Sequence, residues 1–367
     1  MARKRQEVSV ANAILLVLLF GVLVFSSYSI FSMYQAFDKG PPPLPAVELT
    51  LITVDGCEAC LDVKQVQGVL SQVAVNVSRT TVVPHTEAAE LVAKHALKRL
   101  PAAIITGEVA NLTLENFESR DNALVFDAPP APYFDPVTQV LKGRISATII
   151  SDKTCPACSN VSAIVSNLKQ RNVWISSSRS LDAGSSDAKK LVDKYKIVKL
   201  PTVIFSEEAG EYEIFQKFWS QLGTTEADGS LVLRQVDPPF KDVKSGGVKG
   251  LVAMTYVVDA SCANCTAPGL FKEIFQSNLG MAVVNEKSVD VSSTDGKRLL
   301  KLYGIGLVPT VVLSKDAKDY ASFEEVWKQV GTQENDGVYV FRNLGLIDGF
   351  TYKNLTSKEV VVASQEE

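Results

Sequence analysis

Six cysteines fall as three pairs with the same internal spacing: Cys57-Glu-Ala-Cys60, Cys155-Pro-Ala-Cys158 and Cys262-Ala-Asn-Cys265. None is left over, and the first members stand 98 and 107 residues apart (57 to 155, 155 to 262). A period near 100 residues is the size of a small domain, so the chain reads as one unit repeated three times. The length of 367 residues accommodates this, since it supplies two to four ordinary domains.

The flanks repeat with the pairs. A short apolar run lies upstream of each: Leu49 to Val54, Ala147 to Ile150, and Leu251 to Val258. Apolar residues recur nine and thirteen positions after each first cysteine, at Val66 and Leu70, Ile164 and Leu168, Phe271 and Phe275. That four-residue step marks the buried stripe of a helix. β-like segments follow (73–83, 173–181, 281–291), then second helices with polar starts at Thr86, Ser185 and Thr294. Each second helix ends at an aliphatic-proline step, Leu100-Pro101, Leu200-Pro201 and Val308-Pro309, which lies 44, 46 and 47 residues after the first cysteine. Six residues before these prolines stand His95, Tyr195 and Tyr303, so His95 reads as an occupant of an aromatic packing slot.

Repeats two and three also share Trp219-Ser-Gln-Leu-Gly-Thr and Trp327-Lys-Gln-Val-Gly-Thr, each followed by an Asp-Gly turn and an apolar strand ending in arginine. The tryptophans read as packing anchors. Proline-rich connectors precede the three repeats at 41–45, 129–136 and 238–239.

Composition narrows the chemistry. Hydrophobic residues make up 46% and charged residues 21%, which is globular. Lysine plus arginine number 37 against 41 acidic residues, a net charge of −4 that argues against a nucleic-acid partner. Only two histidines occur, His85 and His95, which removes most histidine-based and metal-dependent catalysis. A zinc site would need two cysteine pairs to meet across repeats. No cofactor is expected beyond the cysteine pairs themselves.

The N-terminus carries a different signal. Arg3, Lys4 and Arg5 precede Val8 to Phe37, which contains no charged residue. About 20 helical residues cross a hydrocarbon core of about 30 Å, so residues 8–37 are expected to lie in a lipid bilayer. The basic side stays cytoplasmic, which exports everything after about residue 37 to an oxidising space. A cleaved signal peptide opens the same way, but apolar residues continue past the small-residue site Ser27-Tyr28-Ser29 and favour retention. Five Asn-x-Ser/Thr sequons (Asn76, Asn111, Asn160, Asn264, Asn354) are compatible with export, that at Asn264 being accidental because a glycan there would block the thiol.

Each repeat thus reads strand, C-x-x-C at a helix start, helix, strand, helix, proline, strand, turn, strand. In this order the chain resembles the thioredoxin superfamily, in three tandem thioredoxin- or glutaredoxin-like copies akin to protein disulfide isomerases. The resemblance covers nearly everything from residue 47 onward. It implies an α/β fold with a central mixed sheet flanked by helices in each copy, divided at 47–135, 136–242 and 243–367 behind an anchor (1–37) and a linker (38–46). It also implies protein thiol-disulfide oxidoreductase activity of the isomerase kind. Cys57, Cys155 and Cys262 would be exposed attacking thiols at helix N-termini, where the macrodipole favours thiolate. Cys60, Cys158 and Cys265 would resolve the mixed disulfide. Pro101, Pro201 and Pro309 would be cis, and the backbone of Leu100, Leu200 and Val308 would pair with an extended substrate. Cysteine-containing exported proteins would be the partners, together with a membrane redox partner.

The intervening residues separate the sites. Glu58 beside Cys57 should make the first pair the weakest oxidant, and Pro156 should give the second the most acidic nucleophile. The third, with Ala263 and Asn264, should fall between. The sequence departs from thioredoxins in lacking a Trp just before the first cysteine and an Asp six before it, where Leu51, Ile149 and Tyr256 stand. Repeat one, without the Trp and Asp-Gly features, is the most divergent. Two rival readings stand beside exchange: static disulfides, and a tandem thioredoxin-fold scaffold or chaperone that grips extended peptides without turnover. Pairs closing so short a loop constrain the unfolded chain little, which counts against the first.

Overall fold

The structure, a computed structural model, describes residues 10–38 and 43–364, with side chains over 18–33 and 43–364. The basic cluster Arg3–Arg5 and the first two prolines of the first connector, Pro41 and Pro42, lie outside the described residues. Helix α1 (Val10–Asp38) is the N-terminal element. Its side chains from Leu18 to Met33 are exposed all round, Phe20 and Phe25 at 71% and 73%, with no polar face. Among the described residues no helix is long and apolar enough to cross a membrane, α1 having described side chains over 16 residues only.

Three five-stranded sheets follow. The first comprises β1 (Ala46–Thr53), β2 (Asn76–Pro84), β3 (Ala102–Gly107), β4 (Glu118–Arg120) and β5 (Ala123–Phe126), with helices α2 (Gln65–Leu70) and α3 (Ala89–His95). After a hairpin of β6 (Tyr133–Asp135) and β7 (Val140–Lys142), the second sheet is built from β8 (Ile145–Ser151) and β9 (Ile175–Asp182). It is completed after β10 (Lys199–Leu200) by β11 (Thr202–Phe205), β12 (Gly223–Thr225) and β13 (Leu231–Leu233). Helices α4 (Ser162–Gln170), α5 (Ser186–Lys194) and α6 (Glu213–Leu222) accompany it. A second hairpin, β14 (Phe240–Asp242) and β15 (Val248–Lys249), leads to the third sheet. That sheet holds β16 (Val252–Val258), β17 (Val283–Asp290) and, after β18 (Leu307–Val308), β19 (Thr310–Leu313), β20 (Gly331–Gln333) and β21 (Tyr339–Phe341). Its helices are α7 (Gly269–Leu279), α8 (Thr294–Tyr303) and α9 (Phe323–Val330), and β22 (Thr351–Asn354) and β23 (Val360–Val362) close the chain.

The strand orders are β2-β1-β3-β5-β4, β9-β8-β11-β13-β12 and β17-β16-β19-β21-β20, the same arrangement three times. In each, the first two strands run parallel and the rest antiparallel. Each parallel pair carries a register shift one step in, at Val47/Glu48, Ile145/Ser146 and Val252/Ala253. Contacts group the chain into two compact units. One ends at Thr53 and resumes over Asp62–Ala128; the other comprises Val54–Leu61 and the chain from Pro129 onward, and so holds two of the sheets.

Burial follows the sequence periodicity. On one face of the second sheet, Ile145, Ala147 and Ile149 pack with Phe215 and Trp219, and on the other Ile150 packs with Ala188 and Tyr195. The third sheet repeats this with Met254, Phe271 and Trp327 on one face and Val257, Leu299 and Val312 on the other. At the expected helix stripe, Val66, Leu70, Leu168, Phe271 and Phe275 are buried. Ile164 is partly buried, and Val165 beside it takes the core position. The Trp-x-x-x-Gly-Thr motif now has a cause. Trp219 and Trp327 each donate Nε1–H to the carbonyl of the following threonine, Thr224 or Thr332, at 3.1 Å. A Cβ on Gly223 would lie 2.2 Å from the Val232 carbonyl and 2.7 Å from the Trp219 ring, and Gly331 is equally crowded. Only glycine fits there.

Of the three expected polar helix starts, Thr86 falls in a 3₁₀ turn (His85–Glu87) ahead of α3, which begins only at Ala89. Ser185 caps α5 by accepting from Ala188 N–H, but α8 is capped by Ser293, which accepts from Gly296 N–H, one residue before Thr294. Ser293 holds extended backbone, the conformation a cap requires, and Thr294 is already helical.

His95 takes the slot predicted for it. It is 3% exposed, and its Nδ1 has no hydrogen-bond partner. Tyr195 and Tyr303 in the equivalent positions donate to Asp228 and Asp336 of the Asp-Gly turns. Burial, with the charge of Lys94, lowers the His95 pKa, so the folded state holds it neutral. The unfolded chain takes up a proton near its ordinary value of about 6.5. Stability of this unit is therefore expected to be full above about pH 6.5 and to decline as pH falls below it. Calorimetry from pH 7.5 to 5 checks this: His95→Phe should flatten the decline, and an unchanged slope would assign it to other groups.

Candidate functional site

Each cysteine pair begins four residues past the end of a central strand: Thr53 to Cys57, Ser151 to Cys155, Val258 to Cys262. All three pairs are disulfides, with S–S distances of 1.99, 2.02 and 2.01 Å. In each, the second cysteine's N–H donates to the first one's carbonyl at 3.2–3.3 Å, closing a tight turn.

Two expectations need correction. First, the pairs do not crown helices. Helices α2, α4 and α7 start eight, seven and seven residues after Cys57, Cys155 and Cys262. In repeat two the Ser159 amide, which could have continued a helix from Cys155, donates instead to the Pro239 carbonyl at 2.8 Å, and its hydroxyl donates to Asp237. In repeat three the Thr266 amide likewise goes to the Thr351 carbonyl at 2.9 Å, and Thr351 N–H returns to the Thr266 hydroxyl at 2.7 Å. A distant segment has taken the donor that the first turn needs. The macrodipole acts within its terminal turn, so the cysteines lie outside its reach. Second, in repeats one and two the first cysteine is the more buried member of its pair. Cys57 and Cys155 are 9% and 7% exposed and Cys262 is half-buried, while Cys60, Cys158 and Cys265 are all half-buried. The turn carrying Cys155 is tied down on both sides, by Cys155 N–H to the Asp152 carbonyl and by the Ser159 contacts.

The prolines fall where the repeat places them. Leu100-Pro101, Leu200-Pro201 and Val308-Pro309 are cis. The residue after each proline pairs with the central strand near its end: Ala102 with Ile52, Thr202 with Ile150, Thr310 with Val257. Within repeat three, Cys265 Sγ lies 3.9 Å from the Val308 carbonyl oxygen, which joins the inner cysteine to the residue before the proline. Thr202 and Thr310 are fully buried and donate to the Leu233 and Phe341 carbonyls, fixing the start of the adjoining strand.

The backbone assigned to substrate is occupied in two repeats. β10 pairs antiparallel with β14, Leu200 opposite Lys241, and β18 pairs antiparallel with β22, Val308 opposite Lys353. Lys241 forms an ion pair with Asp152 and lies 3.4 Å from the Thr154 hydroxyl; Lys353 pairs with Asp259 at 2.7 Å and lies 3.0 Å from the Ser261 hydroxyl. Asp152 and Asp259 are each 11% exposed and stand three residues before the first cysteine. Each also accepts from the residue just before that cysteine, by amide and hydroxyl. The Lys241 hydrogen bond holds the Asp152 carboxyl down to about 2, and Lys353 lowers Asp259 in the same way.

The two lysines were not legible in the sequence as partners of the cysteine turns. The 238–239 stretch looked like a connector leading into repeat three, whereas its continuation β14 packs on the edge of repeat two. The signal that could have found it is the match of Phe240-Lys241-Asp242 to Tyr352-Lys353-Asn354, which lies beyond the last repeat. In repeat one the corresponding sequence positions are Val54 and Phe134, neither charged. At the position six before the cysteine, Leu51 and Ile149 are buried, and Tyr256 donates to Glu286 at 2.8 Å.

Among the described residues no group of three or more His, Cys, Asp or Glu is placed to hold a metal ion.

No protein-family model and no curated protein sequence matches the chain. Among solved structures it is similar to the crystal structure of ERdj5 form II, at 13% identity over 86% of this chain and 40% of that one, with a TM-score of 0.15. It is also similar to human ERp44 in a zinc-bound form, at 8% identity over 76% of this chain and 84% of that one, with a TM-score of 0.14. A second human ERp44 structure gives 6% identity over 73% and 77%, with a TM-score of 0.15. The chain spans about 40% of the length of the ERdj5 structure it matches. At such TM-scores the fold rests on strand order and register, which repeat three times as a mixed sheet flanked by helices.

Proposed function

We propose that the chain is a membrane-anchored protein thiol-disulfide oxidoreductase, with three thioredoxin-like domains (47–135, 136–242, 243–367) outside the cytoplasm, acting on cysteine-containing exported proteins. The observation that carries the reading is the threefold recurrence of a C-x-x-C disulfide four residues beyond a central strand. By the loop-entropy relation, a loop this short is worth about 2 kcal/mol, against about 4.7 for a 100-residue loop. Six cysteines used as staples would bridge distant segments. Used for exchange, they belong where they are, at the carboxyl ends of strands where open α/β sheets place their ligands.

In this reading each disulfide accepts two electrons. A client thiolate attacks one sulfur of the pair, the S–S bond breaks, and the other cysteine leaves as thiolate. The client's second thiolate then attacks the client sulfur of the mixed disulfide. A client disulfide departs and the pair is left as a dithiol. Run backwards, the same steps reduce a client disulfide, with Cys57, Cys155 or Cys262 as attacking thiolate and Cys60, Cys158 or Cys265 as resolving one. Leu200-Pro201 and Val308-Pro309 frame the client beside the second and third pairs.

The anchor is supported by the uncharged run 8–37 and by α1, whose described apolar side chains have nothing packed over them. A helix apolar all round seeks a membrane or another core. Intact spheroplasts expressing the chain test activity and location together. They should accelerate reduction of added insulin by dithiothreitol, and the cysteine-to-serine variant should not. Acceleration only after lysis would put the domains on the cytoplasmic side.

A further inference from the structure

We propose that β14 and β22 are resident occupants of the edge at which an extended client would pair, latched there by Lys241–Asp152 and Lys353–Asp259, so that the two lysines determine specificity for polypeptide clients. The inference rests on the thiol-disulfide reading above.

Register shows that the edge is used up. Antiparallel strands alternate hydrogen-bonded and non-hydrogen-bonded residue pairs. Val243 N–H donates to the Val198 carbonyl at 2.9 Å, which marks 198/243 as a bonded pair. Two residues on, Leu200 and Lys241 are therefore also a bonded pair, and the main-chain groups of Leu200 on this edge are spent on Lys241. Leu355 N–H donates to the Gly306 carbonyl at 2.9 Å, and the same alternation commits Val308 to Lys353. An incoming strand would meet no free donor or acceptor at either residue.

The occupant is held at both ends of the C-x-x-C turn. Ahead of the first cysteine the lysine binds the aspartate and lies near Thr154 or Ser261. Behind the second cysteine the Ser159 or Thr266 amide binds the Pro239 or Thr351 carbonyl. The flanking sequences differ in the two repeats, Pro238-Pro239-Phe240 against Phe350-Thr351-Tyr352, yet the ties coincide, which marks a built feature. Each ladder covers three residue pairs, 198/243 to 200/241 and 306/355 to 308/353, and the ion pair ties its lysine to the residue three before the first cysteine. A small disulfide needs no strand pairing and reaches sulfur with the latch closed, whereas a polypeptide must displace it. Acid does not open it in the ordinary range, because the Asp152 carboxyl stays ionised down to about pH 2.

The test uses the full chain in nanodiscs, with Cys57→Ser and Cys60→Ser throughout so that only the latched sites turn over. Two substrates are compared: hydroxyethyl disulfide, and an extended peptide carrying one disulfide. Lys241→Met with Lys353→Met should raise the ratio of peptide to small-disulfide kcat/KM about tenfold, the shift given by losing about 1.4 kcal/mol of latch. Lys→Arg at both positions should restore the original ratio. A change in thiol reactivity would move both substrates together and leave the ratio fixed, which would overturn the latch. Amide exchange supplies a second readout: Leu200 and Val308 should lose protection in the Met variant while Thr202 and Thr310 keep theirs. If all four lose protection the variant has unfolded, and Asp152→Asn with Asp259→Asn, which keeps the turn acceptor without the charge, decides by the same ratio. Small-disulfide turnover with an unchanged peptide ratio overturns the latch alone. No turnover of either substrate by any form overturns the activity reading, and the inference falls with it.

Discussion

Replacing Cys57, Cys155 and Cys262 together by serine should reduce insulin turnover by purified protein roughly 1,000-fold or more, to the level of a protein-free control. A serine hydroxyl is not ionised at neutral pH and cannot attack or leave as a thiolate does. The variant leaves Cys60, Cys158 and Cys265 as lone thiols, each without the partner of its disulfide, so a mixed disulfide formed there has no resolving thiol and the dithiol cycle cannot close. The fold should survive, since each pair lies in a hydrogen-bonded turn outside the clustered cores of its sheet. Far-UV circular dichroism checks that point. Restoring one pair at a time then gives each site's share of the rate. Turnover that persists in the triple variant would show that the first cysteine of each pair is not required, and turnover that also survives replacement of all six would show that the cysteines are not the reacting groups.

The second large effect concerns Arg120. Its guanidinium donates to both carboxylate oxygens of Asp127 at 2.8 and 3.0 Å, to Glu118, and to the His95 and Ala96 carbonyls at the end of α3. Asp127 is 4% exposed and also accepts from Lys98 N–H at 2.9 Å. Burial alone would raise its pKa, but the bonds from Arg120 and Lys98 hold it below the usual carboxylate range. Arg120→Met leaves that buried charge uncompensated, and such losses cost about 3–5 kcal/mol. Lysine should not rescue, because it cannot present the fork that spans both oxygens. Removing the charge as well, in Arg120→Met with Asp127→Leu, should recover most of the stability. Calorimetry is the method of choice, since Trp174, Trp219 and Trp327 all belong to the other unit. A loss under about 1 kcal/mol would reduce the cluster to an ordinary surface pair.

Arg120 also shows where sequence reading stopped. Repeats two and three end their last apolar strand in Arg234 and Arg342, which bind the Tyr195 and Tyr303 carbonyls at the end of the second helix together with Glu226 and Glu334. Repeat one was read as the most divergent, without the Trp and Asp-Gly features. It has the same clamp, reached from β4, and the hairpin is turned by Asp121-Asn122, both at positive φ, in place of Asp-Gly. The function was kept while the position moved, and a position-by-position comparison cannot see that. What was legible depends on short-range periodicity: the buried i, i+4 stripe, the apolar central strands and the aliphatic-proline step. What was not legible depends on long-range competition. The break between C-x-x-C and helix comes from amides captured by residues about 80 positions away. β14 and β22 are strands of three and four residues with too short an apolar pattern to stand out, Phe240 being the one residue of β14 buried in the core.

The central claim is that these pairs exchange disulfides rather than brace the fold. The direct measurement equilibrates the full chain in dithiothreitol and glutathione buffers, alkylates the thiols and counts them by mass. The account predicts conversion of the pairs in two-electron steps between about −120 and −270 mV, the range of dithiol oxidoreductases. Six cysteines that stay oxidised until below about −300 mV, where structural disulfides lie, would contradict it.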